Sequence, residues 1–221
     1  MAFRLPLFPL SVVLFPGTSL PLHIFEPRYK RMLSDCLQAD RRFGITPVER
    51  ATDLPGPDSI GCIAEVRVNQ ELPDGRSTIV VVGASRFEVV RVLEGPEPYL
   101  VATVATFEDE PEAETDSEEI AKLRQLFERY MAGLRELHDA LPEDLELPDD
   151  ATSLSFHVAG EIQCDLGVKR RLLVERSTSR RIESLVLLLP LLTSAVETGL
   201  KVHRRAHSNG KGGTLPDVLA Q

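Results

Sequence analysis

The sequence predicts an α+β chain in two lobes, with strands over residues 1–109 and helices over 115–205. Three observations predict it. Through the first half, apolar residues alternate with small or polar ones, most clearly at Ile60, Cys62, Ala64, Val66 and Val68, which is the period of a half-buried strand. In the second half the spacing changes to three and four, at Ile120, Leu123, Phe127, Tyr130, Met131, Leu134, Leu137 and Leu141. That is the stripe of a helix that packs on other helices. Between the two halves, EDEPEAETDSEE (108–119) breaks the composition abruptly and reads as a solvated acidic linker.

Leu5 to Leu10 and Leu20 to Phe25 are short strands parted by the turn pair Pro16-Gly17. Glu26-Pro27-Arg28-Tyr29 opens a helix, because proline's missing N–H costs nothing in a first turn. Tyr29, Met32, Leu33, Cys36 and Leu37 carry that helix to about Ala39. Phe43 to Val48 is a further strand. The alternating strand from Ile60 turns at Pro73-Asp74-Gly75, where proline presets φ and glycine accepts a positive one. Thr78 to Val82 returns as a hairpin, and Phe87 to Leu93 and Tyr99 to Phe107 add two strands. So many strands around one inserted helix fit a small, strongly bent sheet or barrel.

After the linker, Asp116-x-x-Glu119 or Thr115-x-x-Glu118 caps the first long helix. A second acidic loop, Glu143 to Asp150, follows. Ser153 caps a helix through Leu154, Val158 and Ile162, and Val168 to Val174 forms a short one. Ser177-Thr178-Ser179 restarts the chain into a long helix carrying Ile182, Leu185, Val186 and Leu189. Pro190 kinks or divides it, since it removes one backbone bond and clashes a turn back. Glycine, lysine and serine from Ala206 read as a disordered tail, 206–221.

Bulk properties exclude some functions. Of 221 residues none is Trp, so a site built on a Trp cage is ruled out. A net charge of −9 repels phosphate backbones and disfavours generic nucleic-acid binding. Cys36, Cys62 and Cys164 show no C-x-x-C spacing and read as reduced, buried thiols of a cytoplasmic protein. Prolines interrupt the N-terminus, so no signal peptide is read. The apolar run Leu185 to Leu192 is too short to span a bilayer, and no membrane is expected as a partner.

The segment LPLFPLSVVLFPGTSLPLHIFEPRYKRML (5–33) resembles the opening of the Lon protease N-terminal, substrate-binding domain: an L-P-L-F-P-L strand, an F-P-G turn, a strand ending I-F-E-P-R-Y, and a helix. IGCIAEVRV and DGRSTIVVVGASRFEVV, within 60–90, are similar to the family's hairpin, including Gly83, Arg86 and Phe87. KRRLLVERSTSRRIESLVLLL (169–189) resembles its closing helices, with Leu172, Leu173 and Glu175 offset by the inserted Val174. The resemblance covers about residues 3–205. It implies a PUA-like β pseudo-barrel with one inserted helix followed by an α-helical bundle, and a role in capturing unfolded or tagged proteins. A similar domain serves as a scaffold in cereblon.

No G-x-x-x-x-G-K-[ST] phosphate loop occurs, and the length leaves no room for an ATPase lobe. The expectation is a free-standing, non-enzymatic recognition module with no catalytic residue, cofactor or metal. Its expected ligand is an unfolded polypeptide segment or a specific protein partner, held by apolar surface between the lobes or by an exposed strand edge that accepts a peptide strand. His23, Glu26, Arg28 and Tyr29 are the candidate peptide contacts. On the structural reading, Glu26 favours the helix start, Arg28 pairs with an acid and Tyr29 lies in the core. Lys169, Arg170 and Arg171, with Arg176, Arg180 and Arg181 nearby, could contact an acidic partner or RNA, or form a solvated face; a PUA-like RNA-binding protein is the alternative function. His203 and His207 lack a third metal ligand, and His157, Glu161 and Cys164 show no oriented base for a cysteine nucleophile.

Overall fold

The computed structural model describes residues 2–50, 53–111, 115–141 and 145–208. The elements run β1 (Ala2–Leu10), β2 (Ser19–Ile24), α1 (Pro27–Gln38), β3 (Arg42–Pro47), β4 (Ile60–Glu71), β5 (Ser77–Leu93), β6 (Leu100–Thr106), α2 (Ser117–Leu137), α3 (Ala151–Glu161), α4 (Leu166–Val174) and α5 (Thr178–Ser208). The chain divides into two compact units, Met1–Glu110 with Asp165–Arg176, and Pro111–Cys164 with Ser177–Gln221. In this division α4 falls with the strands of the first unit.

In the first unit six strands pair in the order β2-β5-β4-β3-β1-β6, and β6 pairs back onto β5. Five strands therefore close into a ring, and β2 lies outside it, with β5 as its one strand neighbour among the described residues. β1 and β3 are parallel; the other pairs are antiparallel. The two strands expected at Thr78–Val82 and Phe87–Leu93 are one, β5. Gly83-Ala84-Ser85 looks like a break in sequence but stays extended. Gly83 N–H donates to the Thr18 carbonyl at 2.9 Å and its carbonyl accepts from Gly17 at 2.8 Å. A Cβ at Gly83 would collide with the Phe15 carbonyl, so only glycine fits. Irregularities at Val66/Val68 and Val89/Arg91 bend the long strands, letting β5 leave β2 and reach β6. The expected hairpin turn is present, with Gly75 at φ 74°.

Alternation along β1 and β4 sorts residues into two apolar clusters. Phe8, Cys62, Ala64 and Val66 join Phe43, Ile45, Ile79 and Val81 under the α1 residues Tyr29, Met32, Leu33 and Cys36. Leu5, Leu7 and Ile63 join Phe87, Val89, Ala102 and Val104. Arg86 of β5 is buried at 4% exposure. It donates to the carbonyls of Leu173 and Glu175, both at 2.7 Å, and pairs with the Asp109 carboxylate. Its guanidinium also lies 4.9 Å from the Phe107 ring. This cation ties the end of α4 to the strands of the first unit.

In the second unit, α2 opens on Asp116, whose carboxylate accepts from Glu118 N–H at 2.9 Å. The helix stops at Leu137, so Leu141, 86% exposed, falls outside the stripe that its spacing suggests. α3 is capped by Asp150, which accepts from Ser153 N–H at 2.8 Å; Ser153 itself is inside the helix. α5 runs unbroken through Pro190 and on to Ser208, past the expected start of the tail; residues 209–221 lie outside the described residues. By length and composition α5 is apolar enough over Thr178–Lys201 to cross a membrane, a longer window than Leu185–Leu192. It lies along α2, where Gly133 and Gly199 admit Val196 and Leu137, and Arg129 pairs with Glu197 at 2.6 Å.

Candidate functional site

β2 presents a strand edge that the ring does not cover. Ser19, Pro21 and His23 pair in register with Val82, Val80 and Thr78 of β5. The Gly83 N–H to Thr18 carbonyl bond fixes the phase of this ladder. In an antiparallel pair, hydrogen-bonded and non-hydrogen-bonded positions alternate, so Ser19, Pro21 and His23 turn their backbone groups away from β5. Proline is tolerated there because it has no N–H to present. Leu20, Leu22 and Ile24 point the other way and pack on the α1 cluster.

The sequence candidates gather around the end of this strand. The exposed His23 ring lies 3.4 Å from Thr78 Oγ1 and 6.3 Å, centroid to centroid, from the exposed Phe25 ring. Arg28 donates to Glu26 at 2.8 Å and its guanidinium stands 4.6 Å over the Tyr29 ring. Tyr29 is 6% exposed and its ring is 4.1 Å from Phe8, so its body is core. Burial is the main influence raising its pKa.

Tyr29 also lines a hollow that the sequence does not signal, of about 330 Å³, formed with Arg28, Leu54, Leu93, Glu94 and the 97–100 segment. Tyr99, with Glu97 and Pro98, also lines a second hollow of about 620 Å³ together with Arg31, Asp35 and Pro96. Tyr99 donates to Asp35 at 2.8 Å, and Arg31 donates to the same carboxylate at 3.0 Å. The Tyr99 bond is the main cause holding the Asp35 carboxyl below its ordinary range. Burial, then Asp35, pushes the Tyr99 phenol up to about 12. The nearby thiol of Cys36 is pushed up to about 12 by burial, which keeps it protonated and unreactive. Cys164, expected to be buried, is only partly so.

The basic candidates are divided. Lys169, Arg170 and Arg171 lie on α4, where Arg170 approaches Glu49 at 3.5 Å. Arg176 lies 5.4 Å from the Phe107 ring and donates to the Glu108 carbonyl. Arg181 is not part of a solvated face. It is fully buried in the second unit, donates to Ser155 and Thr178, and stacks 3.9 Å over Phe156. His157 packs edge-on against Phe127 at 5.9 Å. Among the described residues no group of three or more His, Cys, Asp or Glu could hold a metal ion; the His203 and His207 side chains lie outside the description.

Residues 4–190 match the family model for the ATP-dependent protease La (LON) substrate-binding domain. The chain belongs to the Lon substrate-binding domain family. It is 31% identical to the Lon protease of Xanthomonas oryzae over 188 residues, which is 82% of this chain and 22% of that protein. It is 23% identical to the Lon protease of Cytophaga hutchinsonii over 214 residues, 93% of this chain and 26% of that one. The chain therefore spans about a quarter of the length of the curated Lon relatives it matches. A crystal structure of a Lon N-terminal domain protein from Xanthomonas campestris superposes with a TM-score of 0.64 at 24% identity, covering 84% of this chain and 98% of the other. The N-terminal domain of a Mycobacterium avium complex Lon protease gives 0.60 at 19%. These two likenesses show the Lon N-terminal fold.

Within that fold, sequence reasoning missed Phe25, Glu94 and Tyr99. The one available signal was Glu94-Gly95-Pro96-Glu97-Pro98-Tyr99, a turn stiffened by two prolines directly after a strand.

Proposed function

We propose that this chain is a non-catalytic recognition module that grips extended polypeptide segments by adding them as a strand to β2. One observation carries the reading: β2 alone stands outside the five-strand ring, with Ser19 and His23 N–H groups and the carbonyls of Ser19, Pro21 and His23 turned outward. A peptide laid there gains main-chain hydrogen bonds irrespective of its sequence, and flanking side chains supply preference. Unfolded chains expose the backbone groups that such an edge needs. Membership of a family named for substrate binding supports the reading. His23, Phe25, Glu26 and Arg28 flank the bound strand, and Tyr29 supports Arg28 from the core. The ring with its outlying strand is read as a PUA-like pseudo-barrel, and the module as cytoplasmic, working without cofactor.

The test uses a fluorescein-labelled, reduced and carboxymethylated polypeptide and follows anisotropy. His23→Pro removes an outward N–H without touching the β2–β5 ladder, whereas His23→Ala keeps that N–H. The expected result is binding by the parent and His23→Ala, and a loss of roughly tenfold in His23→Pro, as for one well-formed hydrogen bond. Equal behaviour of the two variants, or no binding by the parent, refutes strand addition.

Lys169, Arg170 and Arg171 are proposed in second place as contacts for an acidic partner or RNA. Binding to an RNA oligonucleotide that falls steeply with salt and disappears in Arg170→Glu/Arg171→Glu would favour that reading.

A further inference from the structure

Beside Tyr99, the hollow of about 330 Å³ is at the lower end of the size of small-ligand sites and roomy enough for a long side chain. Its walls are set before anything enters. Tyr29 is wedged against Phe8, and Tyr99 is held by Asp35, which Arg31 holds in turn. Leu54, Leu93 and Leu100 supply apolar lining.

The ionic groups around it are paired with one exception. Arg28 pairs with Glu26, Glu97 with Arg4, and Asp35 with Arg31. Glu94 is exposed and, among the described residues, has no ion pair. After this pairing the hollow presents apolar walls, an aromatic face and one uncompensated carboxylate. We infer that it is a subsite for a cationic side chain, arginine above all, of the segment bound at β2. This inference rests on the strand-addition reading and names its ligand more closely.

The chemistry matches part by part. An arginine has an apolar stem that lies along leucine, and a planar head that keeps its charge. The head stacks on tyrosine and donates a bidentate pair to a carboxylate. An acidic side chain meets the Glu94 carboxylate instead. The chain's net charge of −9 draws cationic segments from a distance.

The experiment compares three labelled twelve-residue peptides identical except for a central Arg, Gln or Glu, by anisotropy at low salt against the parent, Glu94→Gln and His23→Pro. The parent is expected to favour the Arg peptide over the Gln peptide by about fivefold, the size of one partly shielded charge-assisted contact. That preference falls to about unity in Glu94→Gln, and His23→Pro weakens all three peptides together. If the parent binds all three equally, or prefers Gln, the cationic subsite is overturned while strand addition stands. If the preference survives Glu94→Gln, the carboxylate is wrongly assigned and the inference falls. If no peptide binds at all, strand addition fails and takes the subsite with it.

Discussion

Replacing Arg86 with methionine should cost more stability than any surface change, because it strips three acceptors at once. The guanidinium is almost wholly enclosed. It serves the Leu173 and Glu175 carbonyls at 2.7 Å each and the Asp109 carboxylate. Methionine keeps most of the stem, so the loss falls mainly on the guanidinium and its contacts. Removing one partner of a buried ion pair costs roughly 3–5 kcal/mol, since the remaining charge is left without compensation. Arg86→Met should therefore lower the free energy of urea unfolding by about 4 kcal/mol, read by far-UV circular dichroism. The damage should begin locally, so amide exchange at Leu172 to Glu175 should accelerate before that of β3. Adding Asp109→Asn should cost less than the sum of the two single changes, because the second removes the charge that the first abandons. A loss below about 1 kcal/mol would show that the clamp contributes no more than an exposed pair, and would refute the reasoning.

Two further outcomes follow from single groups. Thr46 is 1% exposed and its hydroxyl has no hydrogen-bond partner among the described residues; Thr46→Val should stabilise by about 1 kcal/mol in the same urea assay, and a destabilisation would mean the hydroxyl is satisfied. Asp35 is held below its ordinary range chiefly by Tyr99. Its folded-state value lies under its unfolded one, so its contribution is present above the ordinary carboxylate range and lost as pH falls through the lowered value. In Tyr99→Phe the Asp35 midpoint, followed by carbon-13 NMR, should rise toward the ordinary range; an unmoved midpoint would remove Tyr99 as the cause.

Local chemistry made much of this fold readable. Pro27 after Glu26 marks the start of α1, and Pro73-Asp74-Gly75 marks the hairpin, because each depends on φ values that only neighbouring residues decide. The joining of β5 across Gly83 to Ser85 was not readable, since it rests on pairing with β4 and with Gly17 and Thr18, which are far away in sequence. Ring closure has the same origin: β6 meets both β1 and β5 only after the whole sheet has bent. Buried arginines mislead for a related reason. Arg86 and Arg181 look like surface charges until acceptors from other elements, Leu173 and Glu175 for one and Ser155 for the other, are brought to them. At the site, His23, Glu26 and Arg28 were visible as a compact motif beside a proline. Glu94 and Tyr99 were not, since what singles them out is a hollow between separate elements and the pairing of every other charge around it.

The placement of β2 has a consequence for the protein's own solubility. A strand able to accept foreign backbone could equally accept a second copy of itself and seed a growing stack. Pro21 deprives the middle of that edge of a donor, so identical strands laid across one another cannot form a continuous ladder there. Under the proposed strand addition, the same gap leaves a bound segment two outward donors instead of three.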